Sequence, residues 1–185
     1  MNETQGFTIW FTGLSGAGKS TIAERLQREL AGLGRPAEIL DGDEVRTHLS
    51  KGLGFSKEDR DTNIQRIGWV SSRITRQGGV TVVSAISPYE ETRQAARGLV
   101  EEFGPFVCIH VHASVDECVR RDTKGLYAKA IAGEIKEFTG ISDPYEEPLA
   151  PELTISTEGE SPDESAARVV DYLEQRGLVQ AAVAA

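Results

Sequence analysis

The stretch Phe7-Thr8-Ile9-Trp10-Phe11-Thr12-Gly13-Leu14-Ser15-Gly16-Ala17-Gly18-Lys19-Ser20 decides the fold. Its second half fits G-x-x-x-x-G-K-[ST], the phosphate-cradling P-loop pattern. Glycines let the backbone turn tightly and aim successive N–H groups into a concavity that holds phosphate oxygens. In this pattern Lys19 reaches the β- and γ-phosphates, and the Ser20 hydroxyl is a ligand for Mg²⁺. A helix opening at about Lys19 adds its positive end to the same anion. Context supports the motif. Phe7–Thr12 is an apolar run of β-formers, and Ile22, Leu26, Leu30 and Leu33 share one helical face downstream. Strand, glycine loop and helix together assign Gly13, Leu14, Ser15, Gly16, Ala17, Gly18, Lys19, Ser20 and Thr21 to a bound nucleotide.

Composition narrows the rest. A chain of 185 residues, 39% hydrophobic and 26% charged, suits one well-buried α/β domain. Its 20 basic against 29 acidic residues give a net charge of −9, which argues against a broad nucleic-acid or anionic-membrane surface. Any anionic ligand must therefore meet a local cluster of basic side chains. Cys108 and Cys118 make no disulfide framework and no paired metal pattern. Neither an 18-residue apolar span nor a signal-peptide pattern is present, so a cytoplasmic, non-membrane protein is expected.

Taken in order, Gly34-Arg35-Pro36 is a turn, and Ala37–Leu40 a short strand that delivers Asp41-Gly42-Asp43 to the edge where open parallel sheets bind ligands. Asp43 is also a candidate N-cap for the helix that starts with Glu44. Ser56 is expected to cap a helix carrying Ile64, Ile67, Val70 or Ser71, and Ile74, with Arg60, Asn63 and Arg66 in its early turns. Val80–Ile86 is a continuously apolar central strand ended by Ser87-Pro88. A helix follows over 90–103 with Ala95, Ala96, Leu99 and Val100 inward, then a strand over 106–113. On that strand Cys108, His110 and His112 share a face, read as packing beneath a helix. Ser114 caps a helix to Arg121. Residues 122–143 lose amphipathic period, and three lysines (124, 129 and 136) alternate with glycines there; this reads as a mobile lid with a short helix near 126–132. Leu153–Ser156 is the last strand, 162–177 the closing helix, and 179–185 a frayed tail. The expectation is one α/β domain over 1–185: a P-loop kinase-type three-layer sandwich on a five-stranded parallel sheet.

No Asn-Lys-x-Asp guanine reader is present, nor a long apolar strand ending in Asp, which leaves a small-molecule kinase. Phosphoryl transfer needs chiefly positioning and charge neutralisation. Phe55 and Phe138 lie in loops and are free to stack on a planar ring; Arg46, Arg60 and Lys124, with Asn63, can hold an anion. An acceptor with an aromatic base and an anionic group fits. Another small acceptor, such as a nucleoside monophosphate or gluconate, and a catalytically quiet nucleotide-binding module are the competing expectations.

Seven segments go further: 13–21, 40–46, 53–60, 63–68, 86–89, 124–127 and 138–146 resemble the adenylylsulfate kinase family, in order and without large gaps over about 6–176. The resemblance implies ATP-dependent, Mg²⁺-assisted phosphorylation of the 3′-hydroxyl of adenosine 5′-phosphosulfate. It further implies that Asp43, Arg46, Phe55, Arg60, Asn63, Ile86, Ser87, Lys124, Gly125, Leu126 and Phe138 contact this acceptor, with Phe55 and Phe138 sandwiching its adenine. Lys19, Asp43 and Ser87 take the catalytic positions and Ser20 and Asp41 the metal positions. Asp43 would orient or deprotonate the hydroxyl. Ser87 matches a serine described as a phosphorylated intermediate in some members, but a Ser-Pro at a strand end has no adjacent base, so direct in-line transfer is expected. A homodimer is implied, and an ATP sulfurylase domain or partner is allowed. Glu44, Ala85 and Thr123 depart from the family pattern.

Overall fold

The computed structural model describes residues 5–180. Five parallel strands, β1 (Phe7–Thr12), β2 (Ala37–Asp41), β3 (Val80–Ser84), β4 (Phe106–His112) and β5 (Leu153–Ser156), form one sheet in the order β2-β3-β1-β4-β5. Ile9 pairs with Val82 on one side and Val107 on the other, so β1 is the central strand. Among the described residues seven helices accompany the sheet: α1 (Lys19–Gly32), α2 (Gly42–His48), α3 (Lys57–Arg76), α4 (Glu90–Glu101), α5 (Val115–Arg121), α6 (Leu126–Ile131) and α7 (Pro162–Gln175). After β1 the chain builds β2 and β3 on one flank, then crosses to build β4 and β5 on the other. The switch in direction falls at β1, which puts the P-loop where such sheets bind ligands.

The period of two along β1 divides the core. Phe7, Ile9 and Phe11 face one layer with Ile22, Leu26 and Leu30 of α1 and Val169 and Leu173 of α7. Trp10 faces the other, against Ile64 and Ile67 of α3 and Ala96 and Val100 of α4. Both faces are covered, which is why the strand reads as one apolar run. Caps follow the sequence closely: Ser56, Ser114 and Ser161 accept from the backbone N–H three residues on, and Ser161 completes a capping box with Glu164.

Three expectations need correction and one open choice is decided. Helix α4 turns Thr92, Arg93, Ala96 and Val100 inward, leaving Ala95 exposed and Leu99 half-buried, because its first turn packs on the strand-end turn rather than on the apolar core. Of the two alternatives left open in α3, Val70 or Ser71, it is Ser71 that is buried. Val179 is only 5% exposed within the core, so the tail is packed at its start; residues 181–185 of the expected frayed segment lie outside the described residues. His110 lies against the ring of Tyr145 at 6.0 Å rather than under a helix, and burial holds its imidazole pKa below the ordinary value. Within 122–143, α6 covers the expected short helix, with Tyr127 and Ala130 buried three residues apart.

Candidate active site

A loop that points its N–H groups at an anion must send its carbonyls elsewhere, and each then needs a partner. The structure supplies them. Lys19 Nζ donates to the Gly13 and Leu14 carbonyls at 2.9 and 2.8 Å. The Tyr127 hydroxyl donates to Ser15 O at 2.9 Å, and the Thr157 hydroxyl to Ala17 O at 2.9 Å. Arg121 in turn donates to Thr157 Oγ1 at 2.9 Å and to its carbonyl at 2.9 Å. Gly18 has φ 104°, a left-handed conformation in which a Cβ is strained. A Cβ at Gly13 would lie 2.2 Å from Val111 O, so glycine there is a matter of space. Burial is the main cause that pushes the Lys19 ammonium pKa down to about 8.

Ser20, at the start of α1, donates to Asp41 Oδ2 at 2.6 Å and lies 3.0 Å from Ser84 Oγ. Three chain segments thus meet at the ends of β2 and β3. Burial pushes the Asp41 carboxyl up, but hydrogen bonds from Ser20, the Asp43 N–H and Ser84, with the Lys124 charge, outweigh it and hold the group below its ordinary value. Asp41, not Asp43, caps α2, accepting from Asp43 N at 3.0 Å. That leaves the Asp43 carboxylate free of capping. It is exposed and ion-paired with Lys124, which precedes α6. A hydroxyl and an ionised carboxylate side by side are the hard oxygen donors Mg²⁺ takes, with phosphate and water filling its other positions.

The far end of the cleft is aromatic and cationic. The Arg46 and Arg60 guanidinium carbons lie 4.5 and 5.5 Å from the Phe55 ring centre. Arg46 donates to Gly54 O at 2.8 Å, and Arg60 to Phe55 O at 2.8 Å and to Glu137 O. Phe55 itself is 53% exposed. Phe138 rests edge-on against Tyr127, centroids 4.9 Å apart, so one side of its ring belongs to the core and the other to the cleft. Asn63 is buried, and its Oδ1 has no partner among the described residues. At Ser87 the backbone takes φ 42°, an uncommon value for a residue other than glycine. Its hydroxyl accepts from Trp10 Nε1 at 3.0 Å, and no base lies beside it.

Most residues singled out in the sequence line one cleft of about 770 Å³, from Ser15 and Lys19 through Asp43 to Phe55 and Phe138. Gly13, Leu14, Ala17 and Gly125 do not line it. The first three lie behind the loop as its buried base, and Gly125 is the left-handed N-cap of α6. Sequence reasoning missed the opposite end, lined by Arg121, Thr157, Glu160, Pro162 and Ser165. It also missed Tyr127 as a brace of the P-loop, and Arg93. The signal for Arg93 was available: a charged residue sits on the stripe 93, 96, 100 that the helix buries.

The family model described as adenylylsulphate kinase matches residues 5–156. An adenylyl-sulfate kinase from Microcystis aeruginosa is 56% identical over 182 residues, covering 98% of this chain and 99% of the relative. A Sorangium cellulosum protein named probable bifunctional SAT/APS kinase 2 is 53% identical over 94% of this chain, which corresponds to 29% of that longer protein. Among solved structures, the Mycobacterium tuberculosis APS kinase in complex with AMPPNP and APS superposes with a TM-score of 0.89 at 44% identity, covering 92% of this chain and 98% of that one.

Proposed function

Since the chain belongs to the adenylylsulphate kinase family and so phosphorylates adenosine 5′-phosphosulfate from ATP, we propose how its cleft divides that work. The P-loop, residues 13–21, takes the triphosphate, with Lys19 on the β- and γ-phosphates. Ser20 and Asp41 would hold Mg²⁺, which supplies charge neutralisation on the phosphates when bound. Phe55 and Phe138 receive the acceptor's adenine, and Arg46, Arg60, Asn63, Ile86, Ser87, Lys124 and Leu126 hold its ribose and anionic groups, with Gly125 behind them as the turn into α6. Asp43 stands between the two halves. It accepts the proton of the 3′-hydroxyl as that oxygen bonds to the γ-phosphorus and the bond from phosphorus to the β–γ bridging oxygen breaks, releasing ADP.

The observation that carries this division is the single cleft joining the phosphate loop to the aromatic-cationic end through Asp43. Transfer is direct; Ser87 positions rather than carries phosphate, because its hydroxyl is already engaged by Trp10 and lacks a base. A homodimer is part of the same proposal, as is a cytoplasmic location, in keeping with the unpaired buried Cys108 and Cys118 and a reaction that consumes ATP. The proposal extends to fusion or association with an ATP sulfurylase, which the longer Sorangium relative supports by its bifunctional name. The test is a direct assay for 3′-phosphorylated product from adenosine 5′-phosphosulfate and ATP, with and without Mg²⁺, against a nucleoside monophosphate and gluconate. Equal turnover of all acceptors would overturn the acceptor assignment, and unchanged turnover after chelation would overturn the metal assignment. Light scattering on the eluted protein reads the dimer.

A further inference from the structure

Arg93 is among the largest fully buried side chains in the protein, at 2% exposure, yet it carries a permanent charge. Its guanidinium donates to Ser87 O at 2.6 Å, to Glu146 O at 2.7 Å and to Glu90 Oε2 at 2.6 and 3.1 Å. Two further bonds close the cluster. Glu146 N donates to Pro88 O at 2.8 Å, and Glu90 N to Glu146 Oε2 at 2.8 Å. Two neighbouring segments, the turn after β3 and the first turn of α4, are bolted to a third that lies 53 residues beyond Arg93, in the loop that follows Phe138.

The turn after β3 is the part under strain. Ser87 precedes proline and takes φ 42°, a conformation costing about 1–3 kcal/mol that persists only where its surroundings over-determine it. Its surroundings do so from behind. The Ile86 carbonyl accepts from Thr12 Oγ1 at 2.7 Å, the Ser87 carbonyl from Arg93, and the Pro88 carbonyl from Glu146 N. The N–H groups of Ile86 and Ser87 have no partner among the described residues, and both residues line the cleft. A buried ion pair is a weak source of stability compared with apolar residues of the same volume. Its directional donors are what an apolar side chain cannot supply.

We infer that Arg93 is a positioning residue for the acceptor: it fixes the Ser87–Pro88 turn against the 143–147 segment, and so sets both the backbone N–H groups offered to the acceptor and the root of the loop that carries Phe138. It touches neither substrate. Its loss therefore affects the acceptor half of the cleft and spares the P-loop half, which is held independently by Tyr127, Arg121 and Thr157.

The inference rests on the acceptor reading proposed above, and one set of assays separates the two. The wild-type protein is titrated with adenosine 5′-phosphosulfate and with ATP, alongside Arg93→Met, Arg93→Lys and Arg93→Met combined with Ser87→Gly. The expected result is a KM for adenosine 5′-phosphosulfate raised about tenfold or more in Arg93→Met, with the KM for ATP within about twofold. Arg93→Lys recovers part of the loss, because an ammonium reaches some but not all of the three acceptors. The added glycine also recovers part, because it adopts φ 42° without strain. Unchanged acceptor KM in folded Arg93→Met, or equal rises in both KM values, overturns the positioning role. Should Arg93→Met fail to fold, Glu90→Gln weakens the same clamp while leaving Arg93 in place, and the same split between KM values decides. Failure of the wild-type protein to saturate with adenosine 5′-phosphosulfate would instead refute the acceptor reading itself.

Discussion

Lys124 and Asp43, 81 residues apart in the chain, form an ion pair across the cleft: one group stands at the approach to α6, the other in the first turn of α2. The contact joins the 122–143 segment to the carboxylate proposed to take the hydroxyl proton. Both side chains are more than half exposed, so the pair adds little to stability. Lys124→Ala and Asp43→Asn should therefore melt within about 2 °C of wild type. Turnover separates them. Asp43→Asn loses kcat by about 100-fold or more, as for removal of a general base, whereas Lys124→Ala acts mainly on the KM for the acceptor. A large melting shift in either would contradict the assignment.

The pH dependence of nucleotide binding follows from Lys19. The folded protein releases this proton at about 8 and the unfolded chain near the ordinary 10.5. Between those values the unfolded state binds more protons, so the penalty that burying this ammonium places on folding is relieved as pH rises from about 8 towards 10.5. Triphosphate binding runs the other way, since it needs the ammonium. Calorimetry at pH 8, in buffers of different ionisation enthalpy, should show proton uptake on ATP binding, and affinity should weaken above that pH. Lys19→Arg, which stays charged, should abolish the lysine-linked part of both effects. Equal lysine-linked uptake in wild type and Lys19→Arg would count against the shifted lysine.

Ser87→Ala tests direct transfer. The change strands the buried Trp10 N–H, at a cost of about 1–3 kcal/mol, visible as a lowered melting temperature. Activity measured well below that temperature should stay within about tenfold of wild type, because no phosphoserine is required. A folded but wholly inactive variant would restore the covalent route.

Gly68→Ala probes the contact between α3 and α4. A Cβ there would lie 2.8 Å from Ala96 Cβ and 3.0 Å from its Cα, so the helices must separate. Overpacking of this kind costs about 1–3 kcal/mol. Thermal denaturation should show a fall of about 2–4 °C for each kcal/mol. No change would mean that the layer has slack the packing does not suggest.

How far the sequence could be read depended on range. Strand and helix positions were legible because the apolar run of β1, the apolar period of α1, and the capping serines at 56, 114 and 161 are properties of neighbours in the chain. Partners were not. Asp43 looked able to cap the helix after β2, and the geometry of the strand end gives that role to Asp41 instead. Ala95 and Leu99 looked like core, yet Thr92 and Arg93 took the inward face because polar partners waited there.

The residues of the chain by themselves determined the phosphate loop and the parallel sheet behind it, which are encoded by residue type at short spacing, whereas the cleft residues from Arg46 to Phe138 were named together as a full set only through the family resemblance. The tertiary structure alone decided what holds those parts still: Tyr127, Arg121 and Thr157 behind the P-loop, and Arg93 with Glu90 and Glu146 behind Ser87. The reason is physical. A carbonyl turned away from a ligand site must be satisfied by whichever donor packing brings to it, and that donor lies in a segment no local pattern can name.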